Sequence, residues 1–168
     1  MNKNLLYLVI ILIASRSIGL PPNFSPLLAT AIFMPRLTNN KFLQSFIPIS
    51  IIILSNLFLE SVHLMIFLTI LFVLLISPII SRAMNNLFYS CLMVVFIWFI
   101  FVNGSVWIIG GGNLLTTYIS AIPFDFKLLI STGLYLSLFH YAELIYIQFN
   151  NSDKKLSLIH ISEPTRRS

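Results

Sequence analysis

Charged residues are scarce in this chain, and their scarcity excludes a soluble fold. Only 9% of its 168 residues are charged and 58% are hydrophobic, whereas about 25% of the residues in a soluble domain are charged. The mean hydropathy of +0.95 indicates more apolar surface than a water-soluble fold can cover. The composition therefore predicts an all-α membrane protein, a helical bundle that crosses the lipid bilayer several times.

Several signatures of known chemistry are missing as well. The only cysteine, Cys91, excludes an internal disulfide and is expected to be a small buried hydrophobe. The glycine run 110–112 lacks the lysine and hydroxyl residue of a phosphate-binding loop, and neither Gly-x-Ser-x-Gly nor His-Glu-x-x-His occurs. A basic surface interleaved with aromatic residues, which nucleic-acid binding requires, is not found either. We therefore expect no enzyme, no cofactor, no metal site and no nucleic-acid partner.

The C-terminal residues 156–168 are set aside from structural reasoning. The run Leu156–Arg166 matches, codon for codon, the translation of a tagmentation adapter, which identifies it as a sequencing artefact rather than native protein. A genuine basic tail is the alternative. The natural chain is thus expected to be a single integral-membrane domain over residues 1–155.

Six hydrophobic runs predict about six spans. They cover residues 5–18, 24–34, 42–59, 62–80, 87–102 and 128–149. Since a helix needs about 20 apolar residues to cross the bilayer, the second run is expected to be a tilted or partial span. Breaks are predicted at residues 21–23, 38–40, 60–61, 81–86 and 110–113, and kinks at Pro48 and Pro78. The glycine-rich segment 107–122 is interpreted as a re-entrant or interfacial piece.

Positive charges predict the orientation of these spans. Six spans that start from a cytoplasmic N-terminus place six basic residues inside and leave only Lys127 outside, with Arg16 set aside. Cytoplasmic loops carry an excess of Lys and Arg, so this division supports six spans and a cytoplasmic C-terminus. The six residues are Lys3, Arg36, Lys41, Arg82, Lys154 and Lys155. The apolar run after Lys3 is not followed by a small-residue cleavage site, so it is expected to be a retained first span.

Polar and aromatic residues near the predicted outer ends of the spans form a candidate site for a small molecule. The predicted substrate-binding residues are Arg16, Asn23, Phe24, Glu60, His63, Asn103, Trp107 and Asp125. Arg16 begins a proline-rich elbow over residues 16–26, and a cation at bilayer depth is unfavourable by at least about 2.5 kcal/mol. Its guanidinium is suited to a carboxylate or phosphate of a ligand. Snorkelling to the headgroups, pairing with Glu60 and a purely structural elbow are the alternatives.

Aromatic side chains near the same ends of the spans allow two interpretations. Trp98, Tyr118 and Phe124 could add an apolar surface to the ligand site. They could equally form the aromatic belt that membrane proteins place at the level of the headgroups, and the belt is favoured for aromatics alone.

Three weaker patterns concern partners and metals. Glu60 with His63, and His140 with Glu143, each place two ligand-type side chains on one helical face. The topology keeps the two pairs apart, and each alone supplies too few ligands for a metal. Glu143 is predicted to face the bundle interior or a partner subunit, or else to be an interfacial carboxylate. The small residues Ser25 and Ala29 are a weak prediction of a partner-facing surface.

Three motifs resemble an uncharacterised family of small bacterial integral-membrane proteins. The first is Arg16 with Pro21-Pro22-Asn23-Phe24-Ser25-Pro26 and the alanine-rich segment that follows. The others are Asn103-Gly104-Ser105-Val106-Trp107 and Tyr118-Ile-Ser-Ala-Ile-Pro-Phe124. The resemblance departs at Ser131-Thr132, where that family has a Gly-Asp pair, so a cation or proton role there is in doubt.

In size and span number that family resembles the substrate-capturing S components of energy-coupling-factor transporters. The resemblance implies a multi-pass protein of the bacterial cytoplasmic membrane that captures a small solute from outside. Since the chain has no nucleotide-binding motif, it also implies separate membrane and ATPase subunits that energise transport. A non-catalytic structural or assembly subunit is the alternative, and an intramembrane enzyme is less favoured.

Overall fold

The described part of the chain is entirely helical. The computed structural model describes residues 25–56 and 62–161, with side chains up to residue 148. Its helices are α1 (Leu27–Leu37), α2 (Lys41–Asn56), α3 (Leu64–Met84), α4 (Leu87–Gly110) and α5 (Leu114–Ile161). Residues up to Leu136 belong to one compact unit and those from Ser137 to another. Of the predicted site residues, Arg16, Asn23, Phe24 and Glu60 lie outside the described residues.

The short helix α1 lies at the centre of the first unit. Its residues Leu27–Met34 are all buried, and α1 contacts α2, α3 and α4. The helix begins after Pro26, whose carbonyl oxygen accepts both the backbone N–H and the hydroxyl of Thr30 at 2.8 Å. With 11 residues, α1 is about 16 Å long and too short to cross a bilayer alone. The short second hydrophobic run thus forms a short helix, and its role as a tilted or partial span stays a prediction.

Small residues of α1 are covered within this chain, while their contact with a partner subunit stays a prediction. Ala29 is 0% exposed. Ser25 is half-buried, and its carbonyl oxygen lies 3.5 Å from the Ser131 hydroxyl of α5. Small side chains here let the helices of this chain approach closely, which is how membrane helices gain packing energy.

Asparagine side chains start three of the helices. The side-chain oxygens of Asn40, Asn86 and Asn113 accept backbone N–H groups of Phe42, Phe88 and Leu115 at 3.0, 2.9 and 2.8 Å. Each bond satisfies a donor that the first helical turn leaves without an intrahelical partner. The predicted breaks at residues 38–40, 81–86 and 110–113 are confirmed by these helix ends.

The interpretation of residues 107–122 as a re-entrant piece is wrong. Trp107 to Gly110 complete α4, and residues from Leu114 onward start α5. Only Gly111 to Asn113 form the turn between them, and the positive φ angles of 66° and 87° at Gly111 and Gly112 explain why glycines are needed there. The last two helices are thus joined by a turn of only three residues.

Among the described residues, three helices are long and apolar enough to cross a membrane. They are Leu64–Met84, Leu87–Gly110 and Leu114–Gln148, with 21, 24 and 35 residues. Along α3, the side chains of Leu68, Phe72, Leu75 and Ile79 recur on one face and are 44–55% exposed. A continuous outward apolar face of this kind is suited to lipid rather than water. The chain is therefore a membrane protein.

Candidate functional site

A buried hydrogen bond between two polar side chains joins α4 to α5. The side-chain amide of Asn103 donates to the carboxylate of Asp125 at 2.6 Å, and to the backbone oxygen of Phe99 at 2.9 Å. Asn103 is 9% exposed and Asp125 7%. Both residues belong to the predicted substrate-binding set, and the structure brings these two together.

The periodicity of α5 explains why Asp125 points inward. Asp125, Leu128, Thr132 and Leu136 are all buried and recur at helical spacing, so they share the face that packs on the bundle. Lys127, two residues after Asp125, is exposed, and its ammonium lies 5.9 Å from the centre of the Phe124 ring. The nearest cation in sequence is therefore directed away from the carboxylate.

Trp98 completes this group of side chains. It acts as a second hydrogen-bond donor to the Asp125 carboxylate, so an amide and an indole, both uncharged, bind the one acid. The sequence marked Trp98 as aromatic surface only and missed its role at the site. An indole N–H in an otherwise apolar run was the available signal, because a buried Trp N–H usually finds a partner. We call Trp98, Asn103 and Asp125 the acidic triplet.

The acidic triplet lies deeper in the helices than the sequence predicts. Asn103 lies seven residues before the end of α4, and Asp125 eleven residues after the start of α5. At 1.5 Å per residue these separations correspond to about 10 Å and 16 Å from the connecting turn. The sequence-based prediction put both residues near the outer ends of spans because it treated residues 107–122 as a piece separate from the spans.

Tyr118 makes a second polar contact between the same two helices. Its hydroxyl donates to the backbone oxygen of Ile100 at 2.7 Å, and its ring meets Phe99 edge-on at 5.2 Å between centroids. Gly104 makes room for this approach, since a Cβ added there would lie 3.2 Å from the Tyr118 hydroxyl. The α4–α5 pair is thus held at two levels, by Tyr118 and by Asp125.

Gly104→Ala is expected to be less stable than Gly110→Ala by about 1 kcal/mol, since a Cβ 3.2 Å from the Tyr118 hydroxyl displaces that hydroxyl from its acceptor, whereas both variants share the preference of a helix for alanine. The free energy of unfolding measured in mixed micelles tests this. Gly110→Ala is the matched control, because a Cβ there meets nothing within 4 Å. Equal stability of the two variants would contradict the close approach.

The two other predicted residues that the structure describes, His63 and Trp107, are engaged elsewhere. Trp107 is half-buried, and its indole N–H donates to the Gly112 oxygen at 3.1 Å, which ties the end of α4 to the turn. His63 is exposed and caps α3, where its Nδ1 accepts the N–H of Met65 at 3.3 Å. The described contacts of His63 and Trp107 are thus with helix ends, and their place in one site with Asn103 and Asp125 stays a prediction.

Metal-ligand side chains do not gather in the described residues. His140 and Glu143 lie 3.4 Å apart at their Nδ1 and Oε2 atoms, in the second unit. Within residues 25–56 and 62–148, no group of three or more His, Cys, Asp or Glu side chains could hold a metal ion. Cys91 is buried, as expected for a small hydrophobe.

Thr132 carries a buried hydroxyl with no hydrogen-bond partner among the described residues. Thr132→Val keeps the shape and removes that group, so it is expected to leave stability unchanged or to raise it by up to about 1 kcal/mol. Thr30→Val is the matched control, since the Thr30 hydroxyl is bonded at 2.8 Å and its loss is expected to be destabilising by about 1 kcal/mol. Chemical unfolding in micelles measures both; equal losses would show that Thr132 has a partner.

The fold and its buried polar contacts define the class of the protein. It is an all-helical membrane protein with an acid, an amide and an indole joined inside apolar helices. The chain belongs to a family of unknown function (DUF6580), which matches residues 2–152. No curated protein and no solved structure matches the chain.

Proposed function

We propose that this protein is the substrate-binding subunit of a membrane transporter, similar in role to the S components of energy-coupling-factor systems. It captures a small solute from the outer face and performs no chemistry on it. The observation that carries the proposal is the acidic triplet. Ionisable side chains inside membrane helices are unfavourable, and those that face a bundle interior commonly mark solute or ion pathways.

The topology proposed for this function has six spans. The described helices α3, α4 and α5 supply three of them, and the shorter α1 and α2 with the N-terminal apolar run complete the bundle. Arg36, Lys41 and Arg82 lie at the ends of α1, α2 and α3. The excess of Lys and Arg in cytoplasmic loops supports an orientation with both termini in the cytoplasm of a bacterium. Separate membrane and ATPase subunits supply the energy.

Mass spectrometry of solutes that copurify with the full-length protein tests this function. The wild-type protein is expected to retain one small molecule in stoichiometric amount. Asn103→Leu is expected to release it because the variant removes a donor from the site, and Arg16→Ala is expected to release it if the elbow also contacts the solute. Ser105→Ala is the control, since the Ser105 hydroxyl is buried in the same helix but bonds only the Val102 oxygen at 2.7 Å.

A structural or assembly subunit is the second candidate, and the depth of burial of the Asn103–Asp125 bond favours it. Hydrogen bonds between membrane helices can serve only to hold them together. In that case no solute copurifies with the wild type, and Asn103→Leu lowers only the stability or the yield of a complex. Retention of a solute by the wild type and by Ser105→Ala, and its loss from an Asn103→Leu variant that still elutes as a monodisperse species, would exclude this second candidate.

A further inference from the structure

We infer that the acidic triplet recognises a small organic cation, a solute that carries an ammonium group. This inference rests on the proposed function and specifies the chemical class of its substrate. Three properties of the site carry it: a buried carboxylate, donors that are all uncharged, and aromatic rings beside them.

The charge of Asp125 is not balanced by any side chain that the structure describes. Asn103 and Trp98 give it hydrogen bonds but no positive charge. Within residues 25–56 and 62–148, no Lys, Arg or His forms an ion pair with it, and the ammonium of Lys127 lies beside the Phe124 ring. An ionised carboxyl group that is buried without a compensating charge is strongly unfavourable, so a bound cation would stabilise the ionised form of Asp125.

The geometry of the triplet leaves acceptor positions for such a cation. An ionised carboxylate offers about four lone-pair directions, and the two donors use two of them. The remaining lone pairs present negative charge to an ammonium group. The same geometry disfavours an anionic solute, because a second negative charge beside Asp125 is repelled.

Three aromatic residues belong to this part of α4 and α5. Trp98 itself contacts the carboxylate, and Phe99 and Tyr118 pack edge to face at 5.2 Å, next to the Asn103 bond to the Phe99 oxygen. Aromatic faces attract organic cations through their quadrupoles, and quaternary ammonium ligands are bound in this way. A hard metal ion needs six or more oxygen ligands, and the described residues hold no group of three metal-ligand side chains. An organic ammonium therefore fits better than a metal ion.

Fluorescence titration of the full-length protein in nanodiscs tests the inference. The chain has two tryptophans, and one of them, Trp98, donates to the carboxylate in question. The probes are choline and 3,3-dimethylbutan-1-ol, which have the same shape but differ in that carbon replaces the charged nitrogen. Choline is expected to give a saturable change, and the neutral alcohol is expected to bind at least about ten-fold more weakly.

Two variants locate the effect. Asp125→Asn keeps the shape of the side chain and removes its charge, so it is expected to abolish the preference for choline over the alcohol. Glu143→Gln removes one carboxylate from the other unit and is expected to leave both affinities within about two-fold. A monodisperse elution profile for each variant confirms that it has folded.

The outcomes separate this inference from the proposed function. Equal affinities for the two probes, no binding of either, or an unchanged preference in Asp125→Asn would overturn the cation inference. If a neutral or anionic solute copurifies and depends on Asn103, the proposed function stands and only the cation inference fails. If no solute copurifies and neither probe binds, both fail.

Discussion

Asn103→Leu is expected to lower the free energy of unfolding by about 2 kcal/mol. The variant deletes the 2.6 Å bond to Asp125 and leaves a carboxylate that is 7% exposed with Trp98 as its remaining described donor. Loss of a hydrogen bond to a charged group lowers stability by about 1.5–3 kcal/mol, and a buried acceptor left unpaired adds its desolvation penalty. Unfolding in SDS mixed micelles, followed by circular dichroism, measures the change.

A double-mutant cycle isolates the bond from other effects of the substitution. Asn103→Leu combined with Asp125→Leu removes both partners, so the double variant is expected to be more stable than the sum of the single changes predicts. Hydrogen bonds between membrane helices average only about 0.6 kcal/mol of coupling. A coupling near 2 kcal/mol therefore indicates a charge-assisted bond, whereas a value near the average would contradict an ionised Asp125.

Ile32→Ala is expected to have an effect at least as large, about 2–5 kcal/mol. Ile32 is 0% exposed in α1, the helix that α2, α3 and α4 surround. Removing its side chain from a close-packed centre deletes van der Waals contacts and leaves a cavity, since neighbouring helices relax only partly. The same unfolding measurement in micelles detects it.

Ile79→Ala is the control for this second prediction. It deletes the same groups from α3, at a position that is 50% exposed on the lipid-facing side. There lipid chains replace the lost contacts, so the expected change is below about 0.5 kcal/mol. Equal losses for the two variants would show that α1 does not lie at a packed centre.

Local chemistry made the helix ends predictable. Asparagine and glycine mark the breaks between helices at residues 38–40, 85–86 and 110–113. Asparagine side chains accept backbone N–H groups of the next helix, and glycine adopts the positive φ angles of the turn, so both effects depend only on residues close in sequence. The membrane environment of the helices was equally predictable, because helices with few charged residues and long apolar runs are stable in lipid rather than in water.

Contacts between helices were harder to predict. Asn103 and Asp125 were both candidates, but their 22-residue separation pairs them only if a single tight turn connects the two helices. Because residues 107–122 were interpreted as a separate piece, the pairing of Asn103 with Asp125 was not predicted. The central position of α1 was unpredictable for another reason: in a membrane protein both lipid-facing and buried helices are apolar, so hydropathy does not distinguish them.

The burial of α1 also has a consequence for the order in which the protein is made. Translation delivers α1 before α3 and α4, yet these later helices provide much of its surroundings. A helix of 11 residues is too short to be held by the bilayer on its own. Its final packing must therefore wait until α3 and α4 have been inserted, so a segment that is synthesised early completes its contacts later.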